Sequence, residues 1–322
     1  MKTCHQLKSS LGFVGIFGHE TDISPCCTWS PHELAPHIKI SESGEANYRN
    51  WLALRQRVTD ERNLPFGERQ HSKVCFSCPS YFECCDEEAV QLPEQIRSIF
   101  ISMYPSPCQA RCIYCPLCRD GSFDMSKNRE QVQQTFQGIV NTIRYIVERG
   151  LIAEDGSIAF TSGEISIHPF RDQLIAAAGN IPKKFSSNVF TFSQEVADCL
   201  SADSRSTINL SIDCATAKTW HKIKGRDNFH EVIANLKRYK AHCIDPNQIE
   251  LKYIWLPGIN DSHADLEGVV RILEELNIAK ITISDNFELP PEEIHVGLDV
   301  FKEVMARHGI EIVPINRISA FF

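Results

Sequence analysis

Three cysteines lie close together in residues 106–115, and their spacing could hold a metal group. Three residues separate Cys108 from Cys112, and two separate Cys112 from Cys115. Thiolates packed this closely need a positive centre between them, and thiolate ligands favour zinc and iron–sulfur clusters. A closed site uses four ligands, so three leave one coordination position open. The stretch therefore predicts a metal centre that can accept a further molecule.

An apolar segment at residues 98–104 precedes these cysteines and predicts a β-strand, because it is short and rich in β-branched and aromatic residues. From there on, strand and helix patterns alternate. Strands are predicted near residues 157–161, 188–192, 207–212, 249–255, 279–284 and 310–314. Helices are predicted near residues 129–148, 170–178, 228–239, 264–276 and 292–307, with a short one after Ser193.

Such βα repeats require parallel strands with right-handed crossovers, and their chemistry lies at the carboxyl ends of the strands. Six units are too few for a closed eight-stranded barrel. The pattern therefore predicts an α/β fold with an open, partial barrel, and the cysteine loop leaves its first strand at the reactive end.

The cysteine stretch resembles the signature of the radical S-adenosylmethionine (radical SAM) enzymes, because Tyr114 stands directly before the last cysteine. The resemblance implies a partial (β/α)6 TIM-like barrel. It also implies that Cys108, Cys112 and Cys115 bind three irons of a [4Fe–4S] cluster, whose fourth iron is chelated by S-adenosylmethionine, and that Tyr114 packs near the adenine. A structural zinc knuckle with Cys118 as fourth ligand is the alternative.

After the second predicted strand, Ser162-Gly163-Glu164 resembles the Gly-Gly-Glu-Pro motif of the same family. Ser162 replaces the first glycine, and Ile165 replaces the proline. The resemblance implies that this turn holds the methionyl amine of S-adenosylmethionine, since an ammonium favours a carboxylate and glycine lets the backbone approach closely. An ordinary turn with an exposed glutamate is the alternative.

Later strand ends carry further residues that the resemblance marks as cofactor-binding. Ser193 would meet the methionyl carboxylate, although a helix N-cap explains it equally well. Ser211 and Asp213 would contact the ribose or the substrate. Asn260 would lie near the adenine or shape its loop, with a simple Pro-Gly turn as the alternative.

Cys214 stands where the family segment usually has a small residue such as glycine. A thiol beside Asp213 could donate a hydrogen atom to a substrate radical, as radical peptide epimerases require. Cys214 is therefore predicted to be catalytic. Cys118 is a second candidate donor, and an incidental loop cysteine is the alternative for Cys214.

Residues 1–95 are predicted to form a separate cysteine-rich module, and residues 96–322 the radical SAM partial barrel. The module has weak periodicity apart from one helix near residues 48–56, and a region poor in core but rich in cysteine gains stability from metal. Its cysteines resemble the SPASM extension, although here they precede the barrel. The resemblance implies one auxiliary Fe–S cluster, for which the predicted ligands are Cys4, Cys26, Cys75, Cys78 and Cys84, with Cys27 and Cys85 as substitutes. A zinc site is the alternative.

The amino-acid composition limits the cellular compartment and the binding partners that can be expected. The chain has 322 residues, 14 of them cysteine, and a net charge of -8. The acidic balance argues against nucleic-acid and anionic-membrane binding. The amino terminus lacks the apolar core of a signal peptide, and no apolar run approaches membrane-spanning length. We expect a cytoplasmic protein whose cysteines bind metal or do redox chemistry.

The resemblance implies an enzyme that reductively cleaves S-adenosylmethionine to a 5′-deoxyadenosyl radical, which then takes a hydrogen atom from a substrate. The electron would come from a donor such as flavodoxin or ferredoxin. The SPASM likeness implies a peptide or protein substrate that is cross-linked, epimerised or oxidised. A small sugar or nucleoside-type metabolite is one alternative, and a non-catalytic cysteine-rich metal or redox protein is another.

Overall fold

The computed structural model describes residues 2–3, 9–15, 21–25, 36–61, 64–70, 82–83, 94–102, 106–115, 129–161, 163–286 and 288–321. The chain divides into two compact units. The first comprises Met1–Pro107 and Asp120–Lys183, and the second comprises Cys108–Arg119 and Lys184–Phe322.

The first unit is an α/β structure built on β2, β6 and β7, which run parallel to one another. Strand β3 pairs antiparallel with β2, and β4 with β3, while β1 and β5 pair separately. Its strands are β1 (Lys2–Thr3), β2 (Ser10–Val14), β3 (Asp22–Ser24), β4 (Ile38–Lys39), β5 (Phe82–Glu83), β6 (Ile96–Ser102) and β7 (Ile152–Phe160). Its helices are α1 (Gly44–Asp60), α2 (Arg129–Glu148) and α3 (Arg171–Ala178).

Part of the first hundred residues adds strands to this sheet, which the sequence pattern did not predict. Leu11 and Phe13 of β2 are fully buried, and Trp51 of α1 donates a hydrogen bond to the carbonyl of Ser10. The helix predicted near residues 48–56 is confirmed within α1. The cysteines of the predicted auxiliary module lie outside the described residues, so the division at residues 95 and 96 stays a prediction.

The second unit is a parallel sheet in the order β8-β9-β10-β11-β12. Its strands are β8 (Lys183–Ser187), β9 (Thr207–Ser211), β10 (Ile249–Trp255), β11 (Lys280–Asp285) and β12 (Glu311–Ile315). Its helices are α4 (Gln194–Ala202), α5 (Ala217–Lys224), α6 (Phe229–His242), α7 (His263–Glu275) and α8 (Leu298–Arg307). The α/β class and the parallel βα repeats are thus confirmed. Within the described part of the chain, no helix is long and apolar enough to cross a membrane.

The strand predicted at residues 188–192 is wrong, since β8 ends at Ser187 and the apolar residues after it form a loop. Val189 has a positive φ of 58° and is fully buried, and the Phe192 ring packs on Tyr239 of α6 with centroids 4.7 Å apart. The loop residues are apolar because they pack into the core, whereas β8 itself is largely polar. Helix α5 was not predicted, and α8 begins at Leu298, later than expected.

The sheet of the second unit has two chemically different faces, because successive residues of a strand point to opposite sides. One face is apolar and is 1% exposed or less, and it comprises Ile208, Leu210, Leu251, Tyr253, Ile281 and Ile283. It packs against helices, as shown by Tyr253 and Phe301 of α8, whose ring centroids are 5.4 Å apart. The other face is polar over most of its length and carries Asn209, Ser211, Glu250, Lys252, Thr282 and Ser284, with Ile254, Val313 and Ile315 as its apolar members. Parallel sheets are usually apolar on both faces, so this polar face needs an explanation.

Candidate cofactor site

The cysteine loop, residues 106–115, is an irregular segment whose three thiols are all partly exposed. The amide of Cys115 donates to the carbonyl of Cys112 at 3.0 Å, so the last two cysteines flank a tight turn. Asn188 Nδ2, just past the end of β8, donates to Cys108 Sγ at 3.5 Å. Hydrogen bonds to sulfur are one of the means by which proteins tune iron–sulfur clusters.

The carboxyl end of α5 holds this loop in place through the backbone. The amides of Arg111 and Ile113 donate to the carbonyls of Lys224 and Ile223 at 2.9 and 3.0 Å. These carbonyls belong to the last turn of α5, which has no further intrahelical partners for them. The helix ends at Gly225 with φ +64°, and a Cβ there would lie 3.0 Å from Arg111 Cβ. The helix end and the loop therefore fit closely together.

Beside the loop, Tyr114, Asp213 and Lys224 form a buried charged cluster. The Tyr114 hydroxyl donates to Asp213 Oδ2 at 2.7 Å, and Lys224 Nζ bonds both the Tyr114 oxygen, at 2.5 Å, and Asp213 Oδ2. Asp213 is fully buried, and Lys224 is 2% exposed. The Lys224 ammonium also lies over the Tyr114 ring, 5.1 Å from its centroid. One residue of the cysteine loop is thus tied to the carboxyl end of β9.

These charges alter the acidity of their neighbours. Burial is the largest influence on the pKa of Lys224 and lowers it, but the Asp213 charge, the Cys112 charge and the hydrogen bond to Asp213 together outweigh burial, and the pKa ends above its usual value. Burial and then Asp213 raise the pKa of Tyr114 well above its usual range, so this phenol stays protonated. Burial also raises the pKa of Cys112, while the Lys224 ammonium acts in the opposite direction and favours the thiolate. Lys224 is therefore a positive group that partly offsets the effect of burial on Cys112.

Asn260 fixes the backbone around Asp213. Its Nδ2 donates to the carbonyls of Asp213 and Ile254 at 2.7 and 2.8 Å, and its Oδ1 accepts from the Leu256 amide at 2.9 Å. The Ile254 amide donates to Asp213 Oδ1 at 2.8 Å. Asp213 has a positive φ of 51°, which these bonds stabilise. Asn260 shapes its loop, as one of its two predicted roles required, and the predicted contacts of Asn260 and Asp213 with S-adenosylmethionine stay predictions.

Cys214 follows Asp213 and is fully buried, with Sγ 3.9 Å from the carbonyl of Thr216. Burial, reinforced by Asp213, raises its pKa, so the side chain remains an S–H group. Asp265 of α7 holds the following turn, since its Oδ1 accepts from the amides of Ala215 and Thr216 at 3.2 and 3.1 Å. The thiol is therefore protonated and rigidly placed.

Two predicted serines occupy different positions. Ser193 is the N-cap of α4, where its hydroxyl accepts from the Val196 amide at 3.3 Å and donates to Glu195 at 2.7 Å. These bonds match the helix-cap role that the sequence left open. Ser211 is the last residue of β9, is partly exposed, and stands in register with Lys252 of β10. Contacts of either serine with a cofactor stay predictions.

Glu164 and Gly163 belong to the first unit. The Glu164 amide donates to the carbonyl of Pro107 at 2.8 Å, and its carboxylate accepts from the amide and hydroxyl of Ser166 at 3.0 and 2.7 Å. Glu164 is fully buried, which excludes the exposed glutamate of the alternative. Gly163 has φ +63°, and a Cβ there would lie 2.1 Å from Ser106 Oγ, so this position requires glycine.

The remaining predicted site residues lie outside the described residues. They are Ser162, the rival donor Cys118, and the auxiliary-cluster cysteines Cys4, Cys26, Cys75, Cys78 and Cys84.

Three residues that contact the candidate site were not predicted from the sequence, namely Asn188, Lys224 and Asp265. Asp265 had a local signal, because Ser262 caps α7 and Asp265 is the third residue after it, as in a capping box. Lys224 precedes the helix-ending glycine, but only the fold shows that its partner is Asp213. Asn188 was assigned to a strand that does not form.

The donor set of the loop has the chemistry that an iron–sulfur cluster requires. Among the described residues, no three Cys, His, Asp or Glu side chains converge on one point that could hold an ion. In a [4Fe–4S] cluster each cysteine binds its own iron, so the sulfur atoms need not converge on one atom. The partly exposed thiols, the Asn188 amide and the buried Lys224 ammonium suit such a group.

No protein-family model and no curated protein sequence matches this chain. Solved structures do match. SuiB of Streptococcus suis bound to the precursor peptide SuiA has 13% identity and a TM-score of 0.50, over 100% of this chain and 74% of SuiB. The protein anSMEcpe with bound AdoMet has 16% identity and a TM-score of 0.48, over 67% of this chain and 64% of that one. A radical SAM methyltransferase from Sphaerobacter thermophilus has 16% identity and a TM-score of 0.42, over 65% and 63%. At this identity the similarity to SuiB shows a shared fold.

Proposed function

We propose that this chain is a radical SAM enzyme. The observation that carries the proposal is the cysteine loop, where Cys108, Cys112 and Cys115 stand on one segment held by the end of α5 beside the buried Lys224. The fold shared with SuiB supports it, and Tyr114 before the last cysteine adds the resemblance already described.

The three cysteines would hold a [4Fe–4S] cluster and leave one iron for S-adenosylmethionine. When bound, this pair of cofactors supplies an electron transfer that cleaves S-adenosylmethionine and yields a radical able to take a hydrogen atom from a substrate. Two of the chain's own residues would stabilise a cluster held by these cysteines. Asn188 donates a hydrogen bond to Cys108 Sγ, and Lys224 places a positive charge near Cys112. Both favour the negatively charged cluster.

Further residues are proposed to bind S-adenosylmethionine. The Gly163–Glu164 turn supplies a buried carboxylate for the methionyl amine, and Ser162 belongs to the same motif. Ser193, Ser211, Asp213 and Asn260 are proposed for the carboxylate, ribose and adenine. For Asp213 and Asn260 the hydrogen bonds favour a role through the loops they fix, since their polar atoms already bond the protein.

The substrate is proposed to be a peptide or protein. SuiB was crystallised with a precursor peptide, and the whole of this chain aligns with 74% of SuiB. A small sugar or nucleoside-type metabolite is the alternative substrate. We further propose an auxiliary Fe–S cluster in the cysteine-rich amino-terminal region, electron supply by a flavodoxin or ferredoxin, and a cytoplasmic setting.

Cys214 is proposed as the hydrogen-atom donor, because its raised pKa keeps the hydrogen on sulfur and Asp265 fixes its turn. Donation requires the substrate to reach this buried thiol. With a substrate in hand, the reaction in deuterium oxide tests the role. Product from Cys214→Ala should lack the solvent deuterium that wild-type product carries, and undiminished deuterium would remove Cys214 as the donor.

One experiment tests the enzyme class. The protein is reconstituted anaerobically with iron and sulfide, reduced with dithionite in the presence of S-adenosylmethionine, and assayed for 5′-deoxyadenosine. Wild type should form it. The triple variant Cys108→Ala, Cys112→Ala, Cys115→Ala should form none, because the cluster has lost its ligands.

The matched control is Cys199→Ala with Cys243→Ala, which removes two partly exposed cysteines outside the loop. This variant should cleave S-adenosylmethionine as wild type does. Absence of 5′-deoxyadenosine from wild type, or an equal amount from the triple variant, would favour the non-catalytic metal or redox protein.

A further inference from the structure

The polar face of the second unit's sheet carries one lysine without a partner. Lys252 of β10 is partly exposed, and within the described part of the chain no hydrogen bond or ion pair involves its ammonium group. Burial lowers its pKa, and the carboxylates of Asp213 and Asp285 act against that. A partly buried charge without a partner is unfavourable, because the loss of water must be offset by another interaction.

The residues in register with Lys252 on the neighbouring strands both carry hydroxyl groups. Lys252 pairs with Ser211 of β9 and with Thr282 of β11, so the three side chains stand in one row on one face. Strands lie about 4.8 Å apart, and the row therefore spans about 10 Å. A row of this length matches one or two residues of a peptide laid across the strands.

A second observation comes from the neighbouring position on β11. Ser284 shares the face of Thr282, is 1% exposed, and its Oγ has no hydrogen-bond partner among the described residues. A buried hydroxyl without a partner is uncommon in native structures, and it is unfavourable unless a ligand or water completes it. An unpaired ammonium and an unpaired hydroxyl thus occur on the same face of adjacent strands.

The other charges near Lys252 are already neutralised. Asp213 is paired with Lys224, and Asp285 with Arg317 at 2.7 Å. Glu250, two residues before Lys252 on the same face, accepts one long hydrogen bond of 3.4 Å from Asn209. Lys252 and Glu250 are therefore the two partly buried charges in this part of the face, and the exposed Lys280 lies next to Glu250 on β11. A singly charged anion suits the lysine, whereas a doubly charged phosphate would meet the repulsion of Glu250.

We propose that Lys252, with the hydroxyls of Ser211, Thr282 and Ser284, forms a subsite that binds a carboxylate of the substrate. The proposal deepens the function proposed above and rests on it. The carboxylate belongs to an acidic side chain or a chain end of the peptide, and it would anchor the substrate on the polar face. Lys252 is a substrate-binding residue in this assignment, and Glu250 favours a peptide with a cationic group beside its carboxylate.

Binding of small probes to the reconstituted protein, with S-adenosylmethionine present, tests the subsite. The probes are N-acetylglutamate α-amide, N-acetylglutamine α-amide and inorganic phosphate, titrated by NMR line broadening. Wild type should bind the glutamate probe at least tenfold more tightly than the glutamine probe. Lys252→Met should abolish this preference, Lys252→Arg should retain most of it, and Ser284→Ala should reduce it several-fold.

The matched control is Lys280→Met, because Lys280 is an exposed lysine on the same face of β11. It should keep the full preference. Equal affinity of wild type for the glutamate and glutamine probes would overturn the proposal, as would an unchanged preference in Lys252→Met. Tighter binding of phosphate would overturn the carboxylate assignment.

A loss of S-adenosylmethionine affinity in Lys252→Met with an unchanged glutamate preference would also overturn it, since Lys252 would then serve the cofactor's own carboxylate. The same samples are assayed for 5′-deoxyadenosine without substrate. A wild type that shows the glutamate preference but cleaves no S-adenosylmethionine would refute the proposed enzyme class and leave the carboxylate site standing. The two failures are therefore distinguishable.

Discussion

Lys224 and Asp213 show how a single ion pair can organise the cysteine loop. Both are almost completely buried, and Tyr114 completes their hydrogen bonding from the loop. Taking two charges out of water is unfavourable, and good geometry with extra hydrogen bonds is needed to offset it. The pair is therefore weak support for stability as such, but it fixes where the loop lies.

Replacing Lys224 with Met should destabilise the protein by about 3–5 kcal/mol, because it leaves the Asp213 charge buried without a counterion. The double variant Lys224→Met, Asp213→Asn should recover a large part of this loss, since it removes both charges. Denaturant unfolding measures both variants. Lys222→Met, an exposed lysine on the same helix, is the control and should change the free energy of unfolding by no more than about 0.5 kcal/mol.

If the double variant were as unstable as Lys224→Met alone, the uncompensated charge would not be the cause. Loss of packing around the lysine stem would then explain the result.

At the same scale, the loop cysteines could be predicted because their ligand spacing is local in sequence. Lys224 could not be assigned in the same way, because its partners Tyr114 and Asp213 are 110 and 11 residues away. Nothing local distinguishes it from the exposed Lys222 on the same helix. Burial and pairing decide its role, and these depend on the fold.

At the scale of secondary-structure elements, turns rather than strands position the candidate cofactor-binding residues. The turn at Gly163 brings its backbone against Ser106 and Pro107 with φ +63°. The Glu164 side chain then caps the short helical turn Ile165–Ile167. A buried carboxylate in this place depends on a glycine before it.

Gly163→Ala should therefore destabilise the first unit more than Gly150→Ala does. Gly150 has the same φ of +63°, but a Cβ there would meet nothing within 4 Å. The left-handed conformation costs alanine about 1–2 kcal/mol at both positions. The clash with Ser106 and Pro107 should add about 1–3 kcal/mol at Gly163 alone. Denaturant unfolding measures the difference, and equal losses would show that the close approach is relieved at little cost.

Strand and helix patterns predicted most elements after residue 95, because alternation and helical periodicity reflect burial directly. Helix α2 and strand β10 have the predicted bounds. The pattern gave a wrong strand at β8, because the strand itself is polar and the apolar residues are in the following loop. Strands β2, β3 and β4 were also not predicted, because segments of two to five residues carry too little pattern.

At the scale of the whole molecule, we propose one cofactor set at the cysteine loop and a second cluster at the amino-terminal cysteines. If the second cluster is present, iron should remain bound after the three loop cysteines are replaced. After reconstitution, the triple variant lacking Cys108, Cys112 and Cys115 should still contain iron and show the broad visible absorption of an iron–sulfur cluster.

Adding Cys75→Ala and Cys78→Ala to the triple variant should remove this iron and the absorption, because the proposed auxiliary ligands are then lost. Metal analysis and absorption spectra measure both. Bound zinc without visible absorption would replace the auxiliary cluster with a zinc site. A triple variant without any metal would leave the amino-terminal cysteines without a metal role.

The two faces of the second unit's sheet have a consequence for how such a protein can change over generations. The residues that hold the sheet to its helices lie on the apolar face, and Asn209, Ser211, Glu250, Lys252 and Thr282 lie on the other. Substitutions on the polar face leave the helix packing intact and are therefore close to neutral for folding. Evolution can therefore vary the side chains of this face while the helix packing and the cysteine loop are retained.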